Sequence, residues 1–308
     1  MLADVIDLLA CPHCESALDL DDNVVVCDRG HSFDVARQGY VSLLAGGSTP
    51  FTGDTADMIA ARADFLGAGH YDPIRRAVAD ACLDTADTVD TDAVVAAADT
   101  AILEIGAGTG KYLASVLDAL PAARGIGLDV SKPAVRRIAR SHPRTGAILA
   151  DAWQRLPVKP ASLTHVLSVF APRNAAESHR VLVPGGTLVV ATPTSEHLRE
   201  LVALPGMVSV DDRKTERLSS ALSGRFERTG RTDVRFTAAL PCEALGLVAG
   251  MGPSAHHVTS NRRAELLASL PDPFEVTVSV TVTSWRRVET ADEPSCNSRG
   301  RCERRRGL

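Results

Sequence analysis

The chain has 308 residues, 45% of them hydrophobic, with a formal net charge of −5; it can bury a sizeable core and does not advertise itself as a nucleic-acid binder by charge alone. Aromatics make up only 4%, so that core must be built from Val, Leu, Ile and Ala. No run of 18 apolar residues occurs, which excludes a membrane-spanning helix, and Met1-Leu-Ala-Asp4 lacks the positive, then apolar, start of an export signal. Seven cysteines, an odd number and mostly outside close pairs, argue against a secreted disulfide scaffold and for a reducing cytoplasm.

Residues 1–45 read as a small metal-binding module. Cys11-Pro-His-Cys14 and Cys27-Asp-Arg-Gly-His31 give the pattern C-x2-C-x12-C-x3-H. Two knuckles a hairpin apart, offering thiolates and an imidazole, suit a tetrahedral zinc ion held by Cys11, Cys14, Cys27 and His31. Four protein ligands leave no open position, so the role is structural. His13 is a competing ligand, and a redox C-x-x-C or a chance match are the other readings. Leu18, Leu20, Val24 and Val26 form the hairpin between the knuckles, turning at Asp22-Asn23. So small a segment needs the metal to hold its fold.

Residues 46–100 read as a helical linker and an acidic connection. Gly46-Gly-Ser-Thr-Pro50 is a loop. Asp54 to Gly67 reads as a helix, Gly69-His70-Tyr71-Asp72-Pro73 interrupts it, and Ile74 to Leu83 resumes a helix. On the residues alone, His70 and Tyr71 are either helix-end packing or part of a site. Ala81 to Thr100, rich in Ala, Asp and Thr, reads as a solvated connection.

The stretch from Ala101 carries the chemistry. The apolar run Ala101–Ile105 reads as a buried strand. Gly106, Gly108 and Gly110 follow at alternate positions, with Thr109 among them, and then a helical apolar pattern of Tyr112, Leu113, Val116, Leu117 and Leu120. A strand, a glycine turn and a helix let a ligand approach the backbone and meet free N–H groups. The order E-x-G-x-G-x-G differs from the dinucleotide G-x-G-x-x-G. Glu104 lies in the strand. A second strand ends at Asp129, about 20 residues beyond the glycines, where a carboxylate can take ribose hydroxyls. A third ends at Asp151. This series resembles the class I S-adenosylmethionine-dependent methyltransferases; a nicotinamide enzyme and a ligand-free turn are the alternatives.

Further along, Ser131-Lys132-Pro133 caps a helix. Lys132, Arg136, Arg137, Arg140 and Arg144 make it either a solvated face or part of a phosphate-binding surface. His165 to Phe170 reads as a fourth strand running into Ala171-Pro172, with Phe170 either a core residue or a stacking platform. Val183 to Ala191 is a turn and a fifth strand. Glu275 to Trp285, alternating Val with Ser or Thr, reads as the last strand. The methyltransferase domain thus spans 101–286. Residues 287–308, with arginines from Arg299 to Arg306, read as a disordered basic tail.

The finger, the segment Phe33-Asp34-x-Ala36-x-x-Gly39-Tyr40-Val41-x-Leu43-Leu44, and the later Gly53-Asp54, Met58, Ala61-Arg62, Phe65-Leu66, Ala68-Gly69-His70-Tyr71 and Pro73 resemble the 23S rRNA guanine-N1 methyltransferases. That family includes housekeeping and macrolide-resistance enzymes. The resemblance runs from about Cys11 to about Trp285, and the finger with the Gly-His-Tyr linker is its most specific part. It implies an α/β fold: a Rossmann-like, seven-stranded class I domain carrying an N-terminal zinc module that grips RNA. It implies S-adenosylmethionine and zinc as cofactors and a 23S rRNA hairpin as partner, met by a homodimer. The implied cofactor set is Tyr71, Glu104, Gly106, Gly108, Thr109, Gly110, Asp129, Asp151 and His197. Phe170 and Pro172, in an aromatic-Ala-Pro segment, are implied to position the base. Met251 to His257 departs from the housekeeping pattern, which has aromatics there. Guanine N1 carries a proton, so the reaction needs an acceptor; Glu177, Asp54 and His70 are candidates, and the spacing assigns none of them. The competing functions are a small-molecule methyltransferase whose finger docks a protein, and a non-catalytic zinc-module RNA-binding protein.

Overall fold

The computed structural model describes residues 1–46, 53–86, 100–204, 220–252 and 265–289, together with 295–296 and 302–303. Most of the expected 46–50 loop, most of the 81–100 connection, residues 253–257 of the Met251–His257 segment and most of the tail lie outside these residues. Of the tail, Ser295–Cys296 and Cys302–Glu303 pair as two antiparallel two-residue strands.

Two 3-10 turns, Leu2–Asp4 and Ile6–Leu8, precede an antiparallel ribbon of β1 (Leu18–Asp21), β2 (Val24–Cys27) and β3 (Ser32–Asp34). The expected hairpin forms, turning through Asp22 in the left-handed region, and β3 widens it. Strand β4 (Tyr40–Ser42) follows, then α1 (Ala56–Gly67) and α2 (Asp72–Ala86), broken at Gly69. Helix α1 starts two residues later than its apolar pattern suggests, because Thr55 caps it: the Met58 N–H donates to Thr55 Oγ1 at 3.3 Å.

The remaining elements are β5 (Ala101–Ile105), α3 (Lys111–Ala119), β6 (Arg124–Asp129), α4 (Lys132–Ile138), β7 (Thr145–Leu149), β8 (Leu163–Val169), α5 (Ala175–Val181), β9 (Leu182–Pro193), α6 (Arg199–Val202), β10 (Phe226–Leu240), α7 (Cys242–Gly250) and β11 (Phe274–Arg287). One eight-stranded sheet results, in the order β10-β11-β9-β8-β5-β6-β7-β4. From β4 to β9 the strands are parallel; β10 and β11 are antiparallel. The strand order reverses between β5 and β8, which opens a crevice at their carboxyl ends.

Several sequence expectations are corrected here. The sheet has the seven expected strands plus β4, which leaves the ribbon to add to β7. The Val/Ser/Thr strand, β11, is the last of this sheet in chain order, as expected, but lies inside its edge, because β10 covers its outer side. Strand β10 alternates exposed charged with half-buried residues, and so hides its period among Arg, Glu and Thr. The polar face of β11 is buried but satisfied. The Thr277, Thr281 and Thr283 hydroxyls donate to Glu200, Asp233 and the Val190 carbonyl at 2.6, 2.8 and 3.3 Å. Asp151 lies two residues beyond β7 rather than ending it. His197 lies in the turn just before α6.

Val276, Val278, Val280 and Val282 face a core shared with α1, α2, α3 and α7. The opposite face of the sheet packs on Leu2, Val5, Leu8 and Leu9, with Leu18, Val25 and Cys27 of the ribbon in the same core. Gly146 in β7 permits this: a Cβ there would stand 2.3 Å from Val5 Cγ2. Gly146→Ala is therefore expected to lower stability by about 1–3 kcal/mol through overpacking. In denaturant titrations, Val5→Ala in the same chain should recover most of that loss; additive losses would show that the contact does not matter.

Candidate functional site

The metal-ligand set comes from two backbone knuckles. In the first, the Glu15 N–H donates to the Cys11 carbonyl and the Cys11 N–H to that of Ser16, at 2.8 and 2.9 Å; in the second, the Gly30 N–H donates to the Cys27 carbonyl at 2.9 Å. Gly30, at φ 83°, supplies the left-handed residue the second turn needs. One donor atom from each of Cys11, Cys14, Cys27 and His31 lies within 4.8 Å of all the others. Cys14 Sγ and Cys27 Sγ are 3.7 Å apart, and His31 Nδ1 is 3.5 Å from Cys11 Sγ and 3.4 Å from Cys27 Sγ. A tetrahedral zinc with bonds of about 2.3 Å to sulfur and about 2.0 Å to nitrogen has edges of roughly 3.8 and 3.5 Å. The donor set fits the ion, through Nδ1 of His31. Hydrogen bonds to Ser16 lower the Cys14 thiol to about 6, favouring the thiolate a metal needs. His13 does not join the set; its ring stacks on Phe33 at 5.8 Å.

The glycine turn lies at the crevice. Gly106, Gly108 and Gly110 all have positive φ, at 64°, 56° and 72°. A Cβ at Gly106 would stand 2.8 Å from the Ala171 Cβ, and one at Gly108 would stand 3.0 Å from Arg62 Nη1. Glycine here lets two other segments close onto the turn. Asp129 accepts the Gly108 and Ser131 N–H groups, one on each oxygen at 2.9 Å, so each keeps a lone pair for a further donor. Glu104 is buried and accepts the Leu113 N–H at 3.0 Å. Burial pushes its carboxyl up to about 8 and raises that of Asp129. Thr109 is half-buried on the turn. Asp151, buried, accepts the Trp153 N–H at 2.9 Å.

Tyr71 and His197 meet across the rim, with the Tyr71 hydroxyl 3.2 Å from His197 Nε2. The Ser279 N–H donates to His197 Nδ1 at 3.2 Å, so the ring proton sits on Nε2 and donates to Tyr71. Burial lowers His197 to about 4 and raises the Tyr71 phenol, so both are neutral and Tyr71 keeps its own proton to donate. Phe170, at φ 53°, is 39% exposed, which rules out the core reading. Its ring stacks at 6.0 Å on His197 and lies 6.4 Å from those of Tyr71 and Tyr112. Pro172 is exposed beside it, and a Cβ on Gly106 would come 3.5 Å from its Cδ. The turn, Glu104, Asp129, Tyr71, His197 and the Phe170–Pro172 segment are thus brought to one crevice, while the metal ligands form a separate site.

Comparison with known proteins follows the same division. Residues 9–45 match a family model described as RlmA, N-terminal, a zinc ribbon, and residues 102–186 match one described as a methyltransferase domain. A 23S rRNA (guanine(748)-N(1))-methyltransferase from Streptomyces fradiae is 45% identical over 93% of this chain and 99% of its own. The chain belongs to the 23S rRNA (guanine-N1-)-methyltransferase family. A Micromonospora griseorubida relative carrying that family name is 44% identical over 94% of this chain and 100% of its own, and one from Bacillus subtilis (strain 168) is 30% identical over 63% and 67%. The fold is that of a class I S-adenosylmethionine-dependent methyltransferase with an N-terminal zinc ribbon, and its glycine cradle and flanking acids fit that cofactor.

Within this family fold, Arg62 was missed by the sequence reading. It pairs with Asp54 at 2.5 Å, donates to the Met251 carbonyl at 2.8 Å and roofs Gly108. The family resemblance includes Arg62 and Asp54 but gives Arg62 no role. Of the proton-acceptor candidates, Glu177 is taken by Arg180 and the Leu156 N–H, and His70 packs on Phe65. Asp54 alone stands over the turn. Arg144 is structural: it donates to the carbonyls of Leu117 and Leu120 at the end of α3 and of Ala123 in the turn that follows. Lys132, Arg136, Arg137 and Arg140 are exposed.

Two outcomes follow from this geometry. Cys27→Ser is expected to drop bound zinc, measured by elemental analysis, from about one to well below one per chain, and to lower the melting temperature. Undiminished zinc would remove Cys27 from the ligand set. For Glu104, the folded pKa lies above the unfolded one. The native state therefore holds a proton that the unfolded chain has lost, and stability falls as pH rises through the window from about 4.5 to about 8. Asp129 acts in the same direction. In unfolding titrations across that window, Glu104→Gln should flatten the fall; an unchanged slope would mean that Glu104 is ionised throughout.

Proposed function

We propose that this chain transfers a methyl group from S-adenosylmethionine to N1 of a guanine in a 23S rRNA hairpin, at the position named for the Streptomyces fradiae relative, guanine 748. One observation carries this reading: identity of 45% spans 93% of this chain and 99% of that relative, so it is not confined to a cofactor fold shared by many enzymes. The cofactor, when bound, supplies a methyl group already activated on a sulfonium, and the protein's task is alignment. In this reading Gly106, Gly108, Thr109 and Gly110 present backbone to the cofactor. Asp129 takes its ribose hydroxyls on the lone pairs left free, with Asp151, Tyr71 and His197 at its edges. Glu104 ionises as the cationic ligand arrives. Phe170 stacks on the target base beside Pro172, which must leave its helix to arrive there. The ribbon, residues 1–45, selects the hairpin.

Supporting the reading is an exposed aromatic held in a left-handed conformation at the crevice, where a flexible loop would instead bury it. The proposal extends to a homodimer gripping the hairpin, to action in the cytoplasm where ribosomal RNA lies, and to macrolide resistance, each on the family resemblance. The test supplies tritiated S-adenosylmethionine and 23S rRNA from cells lacking the protein. Label is expected in that rRNA, with a reverse-transcription stop beside the modified guanine. Label only in small metabolites, or binding without transfer, would overturn the reading. Phe170→Ala should lower kcat/KM for the RNA about tenfold, the worth of one stacked base, with cofactor affinity held within about twofold.

A further inference from the structure

We propose that Arg173 and Trp153 form a second RNA contact beside the target base, Arg173 holding a backbone phosphate and Trp153 stacking the base next to the target. The inference rests on the rRNA reading above. Its geometry begins with Asn174. The Asn174 side-chain amide donates to the carbonyls of Ala152 and Gln154 at 3.2 and 3.5 Å, while its oxygen accepts the Glu177 N–H at 3.3 Å. The loop carrying Trp153 is thereby tied to the segment carrying Phe170, Pro172 and Arg173. Trp153 is 51% exposed and Phe170 39%, in a chain with few aromatics. Exposing both on two cross-linked loops at the cofactor crevice matches the stacking platforms that hold unpaired bases.

The zinc ribbon approaches the same loop. Arg155 pairs with Glu15 at 2.7 Å, and Leu9 bridges to Val158, so the segment that carries Trp153 is joined to the ribbon on one side and, through Asn174, to the Phe170 segment on the other. Arg173 follows Pro172 directly. Arg155 on the Trp153 loop and Arg180 in α5 have the carboxylates of Glu15 and Glu177 as partners. Arg173 is half-buried and has no acid partner among the described residues, and burial lowers its pKa with no acid opposing the shift. A desolvated cation without a counter-ion is costly to keep, and an incoming anion relieves it. The ligand that combines an anion with an exposed π-face is a nucleotide of single-stranded RNA.

The test uses the full zinc-loaded chain and the rRNA hairpin. It measures RNA affinity by anisotropy across a salt series, cofactor affinity by calorimetry, and methylation kcat/KM. Of the two tryptophans, Trp285 is buried, so RNA-induced quenching is expected to report Trp153 and to vanish in Trp153→Phe. Trp153→Ala should weaken RNA binding about tenfold, and Trp153→Phe much less. Arg173→Ala should reduce the slope of log affinity against log salt by about 0.7, the signature of one single-strand phosphate contact, and Arg173→Lys should keep the slope. Cofactor affinity should stay unchanged in all four. Loss of cofactor affinity with RNA affinity intact would make Trp153 a cofactor contact, and an unchanged salt slope would remove Arg173; either overturns the proposal. If the wild-type chain methylates the hairpin and the variants match it, this inference alone falls. If the wild-type chain neither binds nor methylates it, the rRNA reading falls and takes this one with it.

Discussion

Between Leu149 and Leu163 the chain crosses from β7 to β8 without a helix, and the sheet face left bare there is closed by the first residues of the chain. Leu2, Val5, Leu8 and Leu9 fill the gap, Gly146 makes room for Val5, and backbone bonds from Ala10 to Pro157 and from Lys159 to Leu8 lock the strand-like end in place. Everything functional depends on this packing. A metal ribbon on a flexible tether would sample many orientations. One whose Leu18, Val25 and Cys27 share a core with β5, β6 and β8 has a fixed station relative to the cofactor crevice.

The second constraint is the economy of charge in the crevice. Glu104 and Asp129 are buried acids whose carboxyl groups burial makes reluctant to ionise, and each is steadied by backbone N–H donors instead of by cations. Among the described residues the cation over the turn is Arg62, and it is already matched by Asp54. His197 is held neutral by burial and by the Ser279 N–H. Such a site is poised for a ligand that brings positive charge, because the acids have none of their own to spend it on. The rim is different in kind: exposed aromatic rings and a half-buried guanidinium, which suit a planar, anionic partner.

Much of this is legible in the sequence. Cys11, Cys14, Cys27 and His31 announce a tetrahedral site because ligand spacing is set by the knuckle turn itself. The alternate glycines announce a ligand turn because only glycine adopts three left-handed conformations so close together without strain. Helix α4 starts where Ser131 and Pro133 say it should. The less legible elements are those whose partners are distant in sequence. Strand β4 is three residues long and pairs with a strand about a hundred residues away. Strand β10 has an outward face that reads as loop. Arg62 and Asp54 reach the turn only because α1 folds back over it.

Ligand identities and the local turns that present them were thus set by the sequence alone, since knuckles, caps and left-handed glycines depend on neighbours a few residues apart. Tertiary structure decided which side chains face one another. It set Phe170 outward, fixed the His197 tautomer through a strand some eighty residues on, tied Trp153 to the Phe170 segment through Asn174, and seated the ribbon against the sheet. These depend on burial and hydrogen bonding between segments remote in the chain, for which no local pattern of residues supplies a measure.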